Sequence, residues 1–155
     1  MQIRVAEVRD EEAIVSVINA AFRRAENFLI DSDRVDLEAL RELWCKGKFL
    51  VTDDNGSLEG CVYVELRGDR SYLGLLAVDP RLQKVGLGST LMMAAEDYCA
   101  KAGSRFMDLQ IVNLRQENHA FYRRRGYVET GTAPFPSDLN PKLPCHFVTM
   151  SKPLT

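Results

Sequence analysis

A chain of 155 residues, 46% hydrophobic and 27% charged, has the composition of an ordinary globular protein and is most simply read as a single domain over residues 1–155. Its net charge of −2 gives no electrostatic reason to expect nucleic acid or an anionic membrane as the main partner. No apolar run approaches the roughly 20 residues a membrane span needs, and the opening "MQIRVAEVRDEEAIV" lacks the apolar core of a secretory leader. Cys45, Cys61, Cys99 and Cys145 are far apart, and the one close Cys/His pair, Cys145–His146, cannot form a metal site alone. Reduced, mostly buried thiols in a cytoplasmic protein without metal are therefore expected.

In chain order, residues 3–8 have strand character. Asp10 is placed to cap an amphipathic helix with Ile14, Val17, Ile18, Ala21 and Phe22 at helical spacing. A second helix is expected from Asp36, carrying Leu37, Leu40, Leu43 and Trp44 and stopping at Gly47. The polar stretch "ENFLIDSDR" separates the two. Next, "KFLVT" and "LEGCVYVEL" flank "DDNGS", whose Asn55-Gly56 pair predicts a tight hairpin. After "RGDR", the strand "SYLGLLAV" ends at Asp79-Pro80. A helix from about Gly86 to Ala102 has Leu87, Leu91, Ala95, Tyr98 and Ala102 on one face and Gly103 as its stop. "FMDLQIV" reads as a strand with Met107, Leu109 and Ile111 on one side. A short helix over residues 117–125 ends at Gly126, and "YVETGT" and "HFVTMSK" are strands joined by a loop holding four of the six prolines. A meander followed by helical crossovers predicts an α/β (α+β) fold, with a mixed seven-stranded sheet and helices on both faces.

The segment Gln83-Lys84-Val85-Gly86-Leu87-Gly88, followed by Ser89 and Thr90, lies where a strand hands over to a helix. Glycines let successive backbone N–H groups point into one concavity, and the helix N-terminus adds unpaired N–H groups and partial positive charge. That arrangement suits a pyrophosphate, with Arg81 or Lys84 as nearby point charge; a glycine-rich helix entry without a ligand is the plain alternative. A Walker-type loop is excluded, because no Gly-Lys-Ser/Thr follows a four-residue gap. A dinucleotide fingerprint is disfavoured, since Leu91 stands where its third small residue belongs and the next strand ends in valine.

Gln83, Gly86 and Gly88 after such a strand resemble the Arg/Gln-x-x-Gly-x-Gly/Ala motif of the GNAT family of N-acetyltransferases. "LQIVNLRQENHAFYRRRGY" resembles that family's second motif, with Asn113, Phe121, Tyr122, Gly126 and Tyr127 matching. The resemblance is sharpest over residues 73–127 and covers nearly the whole element order. It implies the acyl-CoA N-acyltransferase fold, with a bulge and splay at the cofactor site and with acetyl-CoA as co-substrate. It further implies that the backbone at Leu76, Ala77 and Val78 holds the pantetheine arm and the oxyanion, and that Gln83–Thr90 hold the pyrophosphate. One departure stands out: Arg115 occupies the place of the family's usual Asn. Asn113 is assigned the pantetheine contact, with Asn118 as the alternative.

Acyl transfer from a thioester to an amine needs a neutral amine, an oxyanion site and a proton for the leaving thiolate. Tyr122 is the candidate acid. From a pKa of about 10 to a thiol's of about 8.5, the transfer is uphill by roughly 2 kcal/mol, and a modest lowering of the tyrosine pKa would nearly erase that gap. The alternative is a core tyrosine packed beside Phe121. Glu65, on the strand face of Cys61 and Tyr63, is preferred as base, with Glu26 second. Together with Asp31, Asp33 and Asp36, these two would suit a cationic amine, small or peptide-borne. His119 and His146 read as structural, and Arg123-Arg124-Arg125 as a solvated helix end. In the family the proline-rich loop flanks the acceptor side or a subunit interface, the latter implying a homodimer. Two other readings stay open: a catalytically silent acetyl-CoA sensor or interaction domain, and an enzyme taking a longer acyl chain.

Overall fold

The computed structural model describes residues 2–154, and of residues 83–85 the backbone alone. Its seven strands form one sheet. The first four, β1 (Gln2–Val5), β2 (Lys48–Asp54), β3 (Ser57–Arg67) and β4 (Arg70–Val78), run as an antiparallel series. Asn55 and Gly56, with φ of 52° and 86°, form the left-handed pair at the β2–β3 turn that the sequence predicts. Helix α3 (Leu87–Lys101) then crosses over, so β5 (Phe106–Val112) joins β4 in parallel. After α4 (Gln116–Arg123), β6 (Val128–Pro134) takes the far edge, and β7 (His146–Pro153) inserts between β5 and β6, antiparallel to both.

Both sheet faces are covered, which is why the central strands alternate between two apolar sets. On one face, α1 (Glu11–Glu26) and α2 (Leu37–Lys46) bring Ile14, Val17, Ile18, Ala21 and Leu40 onto Phe49, Val51, Cys61 and Tyr63. On the other, α3 brings Leu87, Leu91, Met92, Ala95 and Cys99 onto Leu50, Val62, Val64 and Met107. Asp36 caps α2 by accepting from Ala39 N at 2.8 Å, and Gly47 N–H closes it on Leu43 O at 2.9 Å. No helix among the described residues is long and apolar enough to cross a membrane.

Asp10 behaves differently from the expectation. It stands at the N-cap of α1, but its carboxylate makes no cap there; it accepts instead from Glu7 N at 2.7 Å and from both terminal nitrogens of Arg4. Arg4 also reaches Asp53 at 2.9 Å, so this network ties β1, the start of α1 and β2 together. The Arg4 hydrogen bond outweighs burial and holds the Asp10 carboxyl below its usual value. A carboxyl depressed on folding stabilises above its unfolded pKa, about 3.9, and that stability is lost as pH falls through the folded value. Urea unfolding from pH 7 to pH 3 is thus expected to show Asp10→Asn losing roughly 1–2 kcal/mol at neutral pH, with the gap to wild type narrowing below about pH 4. A gap independent of pH would contradict this account.

Two irregularities open the sheet where the cleft lies. β4 and β5 pair only at Arg70↔Phe106, Ser71↔Met107 and Tyr72↔Asp108, and beyond Tyr72 they part. Arg70 clamps the closed end through Asp108 at 2.8 and 2.6 Å and Ser151 at 2.9 Å. On the other side of β4 the register shifts: Tyr63 opposes Gly74 and Cys61 opposes Ala77, leaving Leu75 and Leu76 across from Val62. This is a bulge, and Leu75 takes φ of 50°, uncommon for a bulky residue.

Candidate active site

The parted strands form the floor of a cleft of about 730 Å³, walled by the end of α1, the start of α3 and one side of α4. Leu76, Ala77 and Val78 line it, so the bulge lies where the motif resemblance placed the acyl end. Because β5 has diverged, this stretch of β4 has no ladder partner on its cleft side, and its backbone groups are available to a ligand.

At the other end, Asp79 accepts from Arg81 N at 3.0 Å and opens a 3-10 turn over Pro80–Val85. Gly86 then takes φ of 76° as the N-cap of α3, with no side chain capping the first N–H groups. At Gly88 an added Cβ would meet nothing closer than Phe121 Cζ at 3.9 Å. Packing therefore does not require glycine there; what glycine leaves open is cleft. The residues present fit a pyrophosphate held against backbone N–H groups.

Of the other loop residues expected to bind, Ser89 lines the cleft, Leu87 is buried in the core, and Thr90 Oγ1 donates to Gly86 O at 3.1 Å. The side chains of Gln83, Lys84 and Val85 lie outside the described residues. Arg81 is taken up by Asp79 at 2.7 Å. The arginine run does not simply face solvent. Arg123 pairs with Glu129 at 2.9 Å, but Arg124 and Arg125 line the cleft. Arg125 donates to Phe121 O at 2.8 Å and to Ser89 Oγ, and lies 3.7 Å over the Phe121 ring. It fastens the end of α4 to the start of α3.

Tyr122 lines the middle of the cleft at 8% exposure, edge-on to Phe121 and Tyr127 with ring centroids 5.1 and 5.8 Å away. Its pKa is not lowered, as the sequence argument wanted. Burial pushes it up to about 12, against the opposing charges of Arg115 and Arg125.

Glu65 is the clearest relocation. It does not line the cleft: it accepts from Tyr63 Oη at 2.7 Å and pairs with Arg67, beside the end of α2. Burial alone would raise its carboxyl, but the Tyr63 hydrogen bond and Arg67 reverse that and leave it below its usual value, a weak base. Asn113 is also turned aside, because its Oδ1 accepts from His146 N at 2.9 Å, across the β5–β7 pairing; Asn118 lines the cleft instead. The acidic group at the acceptor end largely dissolves. Asp31 pairs with Lys142 at 2.7 Å, Asp33 with Arg23, and Asp36 caps α2.

Glu26 remains. It ends α1 at 4% exposure, lines the cleft and pairs with Arg115 at 3.1 Å, while Arg115 also contacts Glu117 at 3.2 Å. Arg115 therefore holds the end of α1 to the turn before α4, from the position where the family motif has Asn. Removing one partner of a buried pair leaves the other charge unbalanced. Arg115→Met, which keeps most of the volume, is expected to lower unfolding stability by about 3 kcal/mol in urea. A loss below about 1 kcal/mol is what a solvated pair would give. The proline-rich loop packs here too: Lys142 N donates to Leu29 O at 2.8 Å, and Phe135 and Leu139 join Leu29, Ile30, Val112 and Phe147.

The description "Acetyltransferase (GNAT) family" matches residues 12–127, three quarters of the chain and all of the cleft except the Phe147 edge. The chain belongs to the GNAT acetyltransferase family. Among curated relatives, this GNAT chain is 31% identical over 129 residues to a mycothiol acetyltransferase of Acidimicrobium ferrooxidans. That match takes in 77% of this chain but only 40% of the relative, so the chain spans about two fifths of that protein's length. It is 27% identical over 138 residues to the uncharacterized N-acetyltransferase YhfO of Bacillus subtilis, covering 83% of this chain and 91% of that one. Among solved structures, the ribosomal-protein-S18-alanine N-acetyltransferase of Escherichia coli superposes with a TM-score of 0.79 at 18% identity, over 99% of this chain and 94% of that one. The PaiA N-acetyltransferase of Thermoplasma acidophilum, in complex with coenzyme A, gives 0.79 at 18% identity over 99% of both chains. These two share the acyl-CoA N-acyltransferase fold.

Sequence reasoning passed over Arg34 and Tyr72, which line the cleft, and gave no role to Arg115. Nothing in local spacing marks the first two; their approach depends on how α1 lies across β4.

Proposed function

We propose that this chain is an acetyl-CoA-dependent N-acetyltransferase that passes the acetyl group directly from the thioester to an amine. The observation that carries the reading is the cleft itself. A bulged, unpaired stretch of β4, a left-handed glycine at an uncapped helix start and a buried tyrosine line one volume. Acetyl-CoA would supply the activated acyl carbon. Gly86, Gly88 and Ser89 with the N-terminus of α3 hold the pyrophosphate, and Asn118 reaches the pantetheine arm.

Backbone N–H groups of residues 76–78 face the developing oxyanion, a type of contact worth about 3 kcal/mol per donor in acyl transfer. Tyr122 Oη keeps its proton at all physiological pH values and delivers it to the departing sulfur, and the proton that the acceptor nitrogen loses as the amide forms returns through water to the tyrosinate. The raised pKa does not defeat this role, because the sulfur leaves inside the same apolar cleft. Burial that lifts the tyrosine also lifts a thiol, as it does that of Cys61 on β3, pushed up to about 12. The two acids stay matched because both are desolvated.

Free-thiol release from acetyl-CoA tests the reading, run against pooled amino acids, polyamines, aminoglycosides and peptides, with coenzyme A binding measured in parallel. Acceptor-dependent release is expected. Binding without release from any pool would favour a silent sensor, and absence of binding would overturn the account of the glycine loop.

A further inference from the structure

Two buried polar atoms on the α1 side of the cleft have no partner among the described residues, and they are of opposite sign. Glu26 gives one oxygen to Arg115 and keeps Oε1 unmatched; Arg34 keeps Nη1 unmatched. Both residues line the cleft. An unsatisfied buried polar atom is costly, and two of them facing one cavity suggest that a ligand completes them.

Their placement is built. Asn19 accepts from the backbone N–H groups of Arg34 and Val35 at 2.8 and 3.0 Å and donates to Val35 O at 2.8 Å, pinning the segment after α1 back onto the helix. The Arg34 guanidinium then lies over Phe22, 5.4 Å from the ring centroid. Asn19, Phe22 and Glu26 are three and four residues apart on one face of α1, so the ring under the Arg34 guanidinium and Glu26 are neighbours along the helix. Glu26 and Arg34 line the same cleft as Tyr72 and Tyr122, so a ligand held between them shares the volume of the candidate acid. Arg34 rests on α1, on the sheet face opposite α3, whose start carries the phosphate loop and is tied to Arg125 at the end of α4. Its free charge therefore belongs to the acceptor end.

We propose that the acceptor is a small amino carboxylate of the α-amino-acid type, its amine read by Glu26 Oε1 and its carboxylate by the Arg34 guanidinium. An amine and a carboxylate carried on one carbon present a donor and an acceptor of the signs that Glu26 Oε1 and Arg34 Nη1 lack. A peptide N-terminus or a polyamine carries no carboxylate at that distance and would leave Arg34 unmatched. The inference rests on the acetyl-transfer reading but names the acceptor within it.

The test compares a panel of L-amino acids with their own carboxamides, as acceptors for wild type, Arg34→Gln, Arg34→Lys and Glu26→Gln. The quantity read is the kcat/KM ratio of acid to amide, compared between proteins so that amine basicity cancels. Arg34→Gln is expected to lower that ratio about tenfold, Arg34→Lys to restore part of it, and Glu26→Gln to weaken both members of each pair alike. A ratio unchanged in Arg34→Gln, with coenzyme A still bound, overturns the proposal. If thiol release is absent throughout, the acetyl-transfer reading fails separately. NMR titration of the coenzyme A-loaded protein with the same pairs then decides the site: acid binding weakened in Arg34→Gln supports it, and equal binding of acid and amide by wild type sinks it.

Discussion

Tyr122→Phe is expected to lower kcat by about 10²–10³-fold while leaving coenzyme A affinity within twofold. The substitution removes one oxygen from a side chain whose ring contacts with Phe121 and Tyr127 persist, so stability changes little. The size of the kcat loss separates an acid from a packing residue, whereas the pH profile checks that the tyrosine stays protonated. Burial holds the Tyr122 pKa up to about 12, so wild-type kcat is expected to show no loss from tyrosine ionisation between pH 7 and 10. A mutant with near-full turnover would assign Tyr122 to the core and leave the sulfur to be protonated by water.

Gly86→Val is expected to weaken coenzyme A binding about tenfold or more, read by isothermal titration. At φ of 76° and ψ of 17° the residue is left-handed, a conformation that costs a β-branched side chain roughly 1–3 kcal/mol. Among the described residues, its chain neighbours aside, no atom lies within 4 Å of an added Cβ, so the penalty comes from the backbone and not from a clash. Relaxing it rotates the first N–H groups of α3 away from the cleft. Gly88→Ala is the useful companion. Its Cβ meets only Phe121 Cζ at 3.9 Å, and its φ imposes no strain, so it is expected to fold normally and to lose affinity only through contact with the ligand. Unchanged binding in both variants would move the phosphate site elsewhere.

Arg115 shows how position and meaning part company. Its location is legible, because counting back from Tyr122 finds an arginine where the family motif has Asn. Its role is not, because Glu26 lies 89 positions earlier and only the packing of the segment after α1, through Leu29 and Ile30, on Val112 at the end of β5 brings the two to 3.1 Å. Glu65 failed for the converse reason. Strand alternation correctly put it on the face of Tyr63, but alternation cannot say how far along the strand the cleft extends. The helix α2 closes that end, and Tyr63 and Arg67 occupy the carboxylate. The hydrogen bond from the His146 amide to Asn113 was not legible, because His146 belongs to a strand inserted out of sequence order.

Local chemistry settled the order of the elements, the hairpin at Asn55-Gly56, the cap at Asp36 and the glycine entry to α3, while the bounds moved by a few residues, β1 ending at Val5 rather than Val8. Each depends on backbone preferences or spacings of a few residues, and those are present in any short stretch of chain. Two motifs in order were enough to place the family. The acceptor end was decided in three dimensions. Which carboxylates remain unpaired, whether Arg34 finds an anion, and how far Tyr122 is desolvated all depend on groups brought together from separate strands and helices. Coulomb energies and burial vary with distance through space and with the surrounding medium, and neither is a function of distance along the chain.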